Sequence, residues 1–242
     1  MGGAFAIAAV AIAFAVASSA KGGGSVPLAE APDRAGLNAI RSLGARAGLS
    51  EDWIAFFAMT ARGESGWNNL VGLGDQALVP EGIKMNRSAA EATAARRAYE
   101  RNVARYGDCP HPAWMYQFGS GGWFGILPAN GLQAFWGTQF QCLSPYAVFE
   151  PEASLVMAIG IARRLQNWSG FQARPTWINL RLGWGCPSCM GDPERIAARR
   201  ERFEGHARAT GLPDGWLDRP VTPLGGGNLA QLLVALRGGA TA

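Results

Sequence analysis

No stretch of this chain alternates apolar and polar residues for the length of a strand; apolar positions recur three and four residues apart between Gly, Pro, Ser and Asp stops. That period belongs to helices that bury one face. It predicts a mainly α fold without internal repeats. Asp33 can cap a first helix with Leu37, Ile40 and Ala47 on one stripe, closing near Gly48. Ser50 caps a second, with Glu51 and Asp52 at its positive end and a stop near Gly66. Ser88 and Glu91 form a capping box for a helix ending near Gly107. Pro151 opens a helix that sends Leu155, Ile159 and Leu165 inward, and Asp192-Pro193 opens an Arg/Glu-rich helix that ends at Gly211.

The 242 residues suffice for one good-sized core, and a hydrophobic content of 48% against 17% charged excludes a disordered chain. Residues 1–20 form an apolar segment without a charged side chain, read as a signal or membrane anchor. Ser18 and Ala20 suit a cleavage site, the missing Lys or Arg does not, and a helix buried in a larger assembly is the third reading. Residues 21–32 read as a linker, 33–219 as the main domain, and 220–242 as a Gly-rich tail with a short amphipathic stretch at 229–236. These readings place the chain outside the cytoplasm, periplasmic or membrane-associated, or else in a virion.

The net charge of +4 favours approach to an anionic polymer, a membrane surface or nucleic acid. The Arg-rich stretches carry Glu and Ala between their arginines, so they read as solvated faces, and no specific nucleic-acid partner is expected. Cys109, Cys142, Cys186 and Cys189 allow three disulfide pairings, of which Cys109–Cys142 with the local Cys186–Cys189 is preferred. Free thiols and a four-thiolate zinc site are the alternatives; zinc sites of that kind show two Cys-x-x-Cys knuckles, and here there is one. Disulfides would fit an oxidising compartment. No cofactor is expected.

One carboxylate stands out. Trp53, Phe57, Thr60 and Glu64 fall on one helical face, so Glu64 continues a stripe directed inward. It also lies at the helix C-terminus, where the macrodipole opposes negative charge. Desolvation and dipole together predict a carboxyl held protonated, the donor that glycosidic cleavage needs. On that reading Glu64→Gln should keep the fold intact.

At Gly63-Glu64-Ser65-Gly66-Trp67 the chain resembles the soluble lytic transglycosylase and goose-type lysozyme family, where a helix ends in Glu-Ser-Gly plus an aromatic. Gly122-Trp123-Phe124-Gly125-Ile126-Leu127-Pro128 looks like that family's Gly-Leu-Met-Gln segment, which lines the cleft facing the acid. Phe149-Glu150-Pro151 and the helix after it are similar to its Phe-Asp-Pro segment, and residues 180–187 faintly resemble its late Tyr-Asn-x-Gly segment. Pro128 stands where the family has Gln, and Leu182 and Gly183 stand where it has Tyr and Asn. The segment between Glu64 and Gly125 is longer than the family's and carries the 88–107 helix as an insertion.

The resemblance implies a lysozyme-like helical domain that cleaves the β-1,4 bond between N-acetylmuramic acid and N-acetylglucosamine, with Glu64 as acid and then base and peptidoglycan strands as partner. It makes Ser65, Gly125 and Ile126 substrate-binding candidates, with Trp123, Phe124 and Trp184 as sugar-stacking platforms. Tyr116 and Gln117 are further polar candidates. A hydrolase would add a second carboxylate across the cleft, for which Asp75 and Asp108 are the candidates; without one, the transglycosylase route is expected. The competing expectation is a structural component of a virion, tail or secretion machine that carries a degenerate lysozyme-like module. An open groove beside Glu64 would favour the enzyme, a filled one the scaffold.

Overall fold

The computed structural model describes residues 32–69, 120–143 and 145–238. These residues are mainly helical and contain no strand, only isolated bridges between Gly121 and Ile126 and between Thr176 and Pro220. The apolar segment 1–20, most of the linker and the 88–107 helix lie outside the described residues. So do Asp75, Asp108, Tyr116, Gln117 and Cys109.

The helices run α1 (Pro32–Arg46), α2 (Glu51–Ser65), a one-turn α3 (Pro128–Gly131), α4 (Pro151–Gln166), α5 (Ser169–Ala173), α6 (Trp177–Gly185), α7 (Pro193–Ala209) and α8 (Leu229–Gly238). Helix α4 is the hub: every residue from 153 to 160 is buried, which only a helix surrounded by others allows. It packs against α1, α3, α6 and α8. Helix α7 does the reverse. Asp192 accepts hydrogen bonds from the Glu194 and Arg195 amides, and only Ile196, Phe203 and Ala207 are buried, so one narrow stripe docks while the arginines stay outside.

The expected stops at Gly48 and Gly66 are both left-handed glycines. Helix α6 was not expected. Seven of its nine residues are buried on all sides, so it lacks the polar face by which a helix is recognised.

Among the described residues, five tryptophans pack in the core. Trp177 and Trp216 stack with centroids 4.9 Å apart, and Trp53 meets Trp177 edge-on at 4.9 Å. Each such pair adds about 0.5–1.5 kcal/mol beyond burial. Trp216 Nε1 donates to Asp52 Oδ1 at 2.9 Å and Trp53 Nε1 to the Thr222 carbonyl at 3.1 Å, tying the C-terminal region to α2. Residues 220–238 are therefore held against the body of the fold. Val221 N–H donates to the Pro175 carbonyl, and α8 buries Ala230, Leu233 and Leu236.

Cys186 and Cys189 form a disulfide in the turn between α6 and α7, and Cys142 is disulfide-bonded as well. The bridge removes two thiolates from the four-thiolate zinc alternative. No helix among the described residues is long and apolar enough to cross a membrane.

Candidate active site

Helix α2 delivers Glu64 to the surface at the end of a buried stripe. Trp53, Phe57 and Thr60 on the same face are buried, so the axis and register of the helix are fixed by its core side. The helix ends on Gly66 in the left-handed region, with the Trp67 N–H reaching back to the Ala61 carbonyl. Trp67 is itself left-handed (φ 67°), rare for a bulky residue. Its ring is held by a 2.7 Å hydrogen bond from Nε1 to the Ala58 carbonyl, and its own carbonyl accepts from Trp123 Nε1 at 3.1 Å.

Opposite lies a tight loop closed by paired hydrogen bonds between Gly121 and Ile126. Gly122 has φ 73°, and a Cβ there would sit 2.1 Å from the Val148 carbonyl oxygen, so no other residue fits. Gly125 has φ 57° and faces the acid: a Cβ would lie 3.1 Å from Glu64 Oε2. The absent side chain lets the backbone approach the carboxylate.

Between these parts runs a cleft of about 590 Å³, a size typical of ligand sites. Glu64, Gly125, Ile126 and Trp184 line it, so four of the residues expected at the site are brought together. Trp184 forms a wall, its Nε1 donating to the Phe124 carbonyl at 3.0 Å.

The expectations for Trp123, Phe124, Ser65 and the surroundings of Glu64 are corrected. Trp123 and Phe124 are buried, Phe124 against Phe57 of α2 and Trp123 against Phe124, and cannot stack on a sugar. The Ser65 hydroxyl lies 3.0 Å from the Ala61 carbonyl and 2.8 Å from that of Trp123, so it joins the helix end to the loop and does not face the cleft. Glu64 is not dry and unpaired. The residue is exposed and its side chain keeps 29% of its surface open; Oε1 accepts a 2.6 Å hydrogen bond from Arg181 Nη2.

Arg181 is the residue that sequence reasoning missed. It projects from α6 at 4% exposure and lies over the Phe203 ring, 5.0 Å from guanidinium to centroid. Its Nε has no hydrogen-bond partner. Burial lowers its pKa and the Glu64 charge raises it, with burial the larger effect. The available signal was a lone charge inside the apolar run Trp177-Ile178-Asn179-Leu180-Arg181-Leu182. Trp168, 46% exposed at the cleft edge, was missed too, along with Asn130, Gln133 and Arg164 on the lining; nothing in their spacing marked them.

His206 on α7 abuts the same point: a Cβ on Gly63 would lie 2.6 Å from Arg181 Nη2 and 2.8 Å from His206 Nδ1. Burial first, then the charges of Arg181, Arg202 and Arg62, lower the imidazole to a pKa of about 4. The ring is therefore neutral at physiological pH. No three His, Cys, Asp or Glu side chains among the described residues come together as a metal would require.

These features define a class of site: a single carboxylate, ion-paired from behind, facing an open cleft with aromatic and amide walls. Compared with protein families, with curated proteins and with solved structures, the chain matches none.

Proposed function

We propose that this protein is a peptidoglycan lytic transglycosylase of lysozyme-like type, acting on the N-acetylmuramic acid–N-acetylglucosamine bond through Glu64. One observation carries the reading. Glu64 is the sole carboxylate among the described residues that line the cleft, it meets bare backbone at Gly125, and Trp184 lines the same cleft.

A glycan strand that fills the cleft brings a glycosidic oxygen beside the Glu64 carboxyl. The carboxyl then gives its proton to the glycosidic oxygen as the C1–O bond breaks. The carboxylate left behind takes the proton of the muramyl 6-hydroxyl while that oxygen closes onto C1. The product is a 1,6-anhydro sugar, and Glu64 is protonated again. Inverting hydrolysis would require a second carboxylate some 6.5–9.5 Å across to hold water. None lines the cleft among the described residues, and the candidates Asp75 and Asp108 lie outside them.

Trp168 and Trp184 supply apolar surface for pyranose faces, and Asn130 and Gln133 supply amides for hydroxyl or acetamido groups. An open cleft favours this reading over a degenerate scaffold, in which the groove would be filled. The test is digestion of purified sacculi with the wild-type chain and with Glu64→Gln. Anhydromuropeptides are expected from the first and none from the second; equal release by both would remove Glu64 from the chemistry.

A further inference from the structure

A second cavity, of about 230 Å³, opens on the far side of Glu64 and shares Glu64 and Gly185 with the cleft as a common wall. Its charged lining is Arg181 from α6 and Arg195, Arg199 and Arg202 from α7 against one acid, Glu64. The three α7 arginines follow at spacings of four and three, so one helical face turns toward the cavity. Glu64 is already engaged by Arg181, and Arg195 has only a marginal 4.0 Å contact with Asp192. Arg199 and Arg202 have no ion-pair partner among the described residues.

Two further observations describe the inner wall of this cavity. Arg181 is 4% exposed with its Nε lacking any acceptor, although a buried guanidinium nitrogen is costly to leave unsatisfied. Arg181, Arg202 and Arg62 all act on His206, so the positive field of this corner reaches the ring beside it.

We propose that this cavity is an anion subsite that takes a carboxylate carried by the glycan strand next to the bond being cut. The proposal rests on the reading of Glu64 as the cleaving residue, because the shared wall sets the subsite beside that carboxyl. An incoming carboxylate meets the forks of Arg199 and Arg202, with the Arg181 guanidinium at the inner wall beside them. Muramic acid offers two sources of that carboxylate, its lactyl group and the peptide attached to it.

The test uses the full chain and soluble strands of three kinds: strands bearing peptides, strands stripped by an amidase so that the lactyl carboxylate is the acid, and strands with all carboxylates methyl-esterified. Affinity is measured by calorimetry and cleavage by KM and kcat. Wild-type protein is expected to bind carboxylate-bearing strands about tenfold more tightly than esterified ones, as loss of charge-assisted hydrogen bonds implies. In the double variant Arg199→Gln/Arg202→Gln that ratio is expected to collapse to near one, the change lying in KM rather than kcat.

Both arginines are exposed, so the fold does not depend on them. A preference that survives the amidase assigns the lactyl group; one that needs the peptide assigns the peptide. Equal affinity for charged and esterified strands, or a ratio untouched in the double variant, overturns the subsite. So does binding of duplex DNA that the double variant abolishes while strand binding is unchanged. Tight binding of charged strands without any cleavage keeps the subsite and removes the catalytic reading, whereas cleavage of all strands with equal KM does the opposite.

Discussion

The Glu64–Arg181 pair makes Glu64→Gln a test of stability as well as of chemistry. Arg181 retains 4% of its side-chain surface and Glu64 29%, so the substitution strands a buried guanidinium beside a neutral amide. Breaking a fully buried pair from one side costs about 3–5 kcal/mol. Here the carboxylate is partly solvated and the Gln carbonyl can still accept from Nη2, which brings the expected loss to about 1–3 kcal/mol. For a domain of this size that is roughly 3–10 °C in Tm. Arg181→Met removes the desolvated charge, keeps an apolar contact with Phe203, and leaves Glu64 facing the cleft, so it should cost less than Glu64→Gln. The double variant should then be more stable than Glu64→Gln alone. Urea midpoints at neutral pH across this four-member cycle read the coupling directly. If Arg181→Met fails to restore stability in the Glu64→Gln background, the charge on Arg181 does not depend on Glu64 for compensation and the argument is wrong.

Three more outcomes follow from the geometry. Gly125→Ala forces a left-handed Ala at about 1–2 kcal/mol and sets a methyl 3.1 Å from Oε2; displacing the carboxylate should lower anhydromuropeptide release by about a hundredfold, and unchanged turnover would show that the close approach has no role. His206 titrates near 4 in the fold and near 6.5 when unfolded, so the unfolded chain binds more protons between those values; stability is full above pH 6.5 and declines as pH falls through that window, a decline His206→Gln should flatten in urea titrations, while proton NMR should find the His206 pKa moved upward in Arg202→Gln. Trp168→Ala, at a 46% exposed site, should leave Tm within about a degree and raise KM for soluble strands about three- to tenfold; an unchanged KM would take Trp168 out of the binding surface.

The amphipathic helices were legible because their signals are local. Asp192 before Pro193 and glycines at 48 and 66 mark ends that depend on two or three residues each, and the stripe from Trp53 to Glu64 follows from spacing alone. Helix α6 was not legible, since burial on every side leaves no periodic contrast. The site was half legible. Glu64 stood out as an acid on an inward face, and Gly125, Ile126 and Trp184 lay in segments that flank it. What spacing cannot convey is which side of a loop faces out, and so the aromatics at 123 and 124 were assigned to sugar when they belong to the core. Arg181 lies 117 residues from its partner, and only the packing of α6 beside α2 brings them together. The same contact gives Glu64 a partner that the sequence did not mark, while its exposure departs from the dry environment expected.

The left-handed turn at Gly66 and Trp67 has a consequence for motion. A Cβ on Gly36 would sit 2.0 Å from the Trp67 carbonyl oxygen, so the backbone of α1 touches the turn directly, while Ser65 and Trp123 tether it from the other side. The carboxyl therefore has no private hinge: loosening it means opening α1, the end of α2 and the 121–126 loop in one step. Amides at 61–67 and 121–126 should accordingly exchange with deuterium as a single cooperative group.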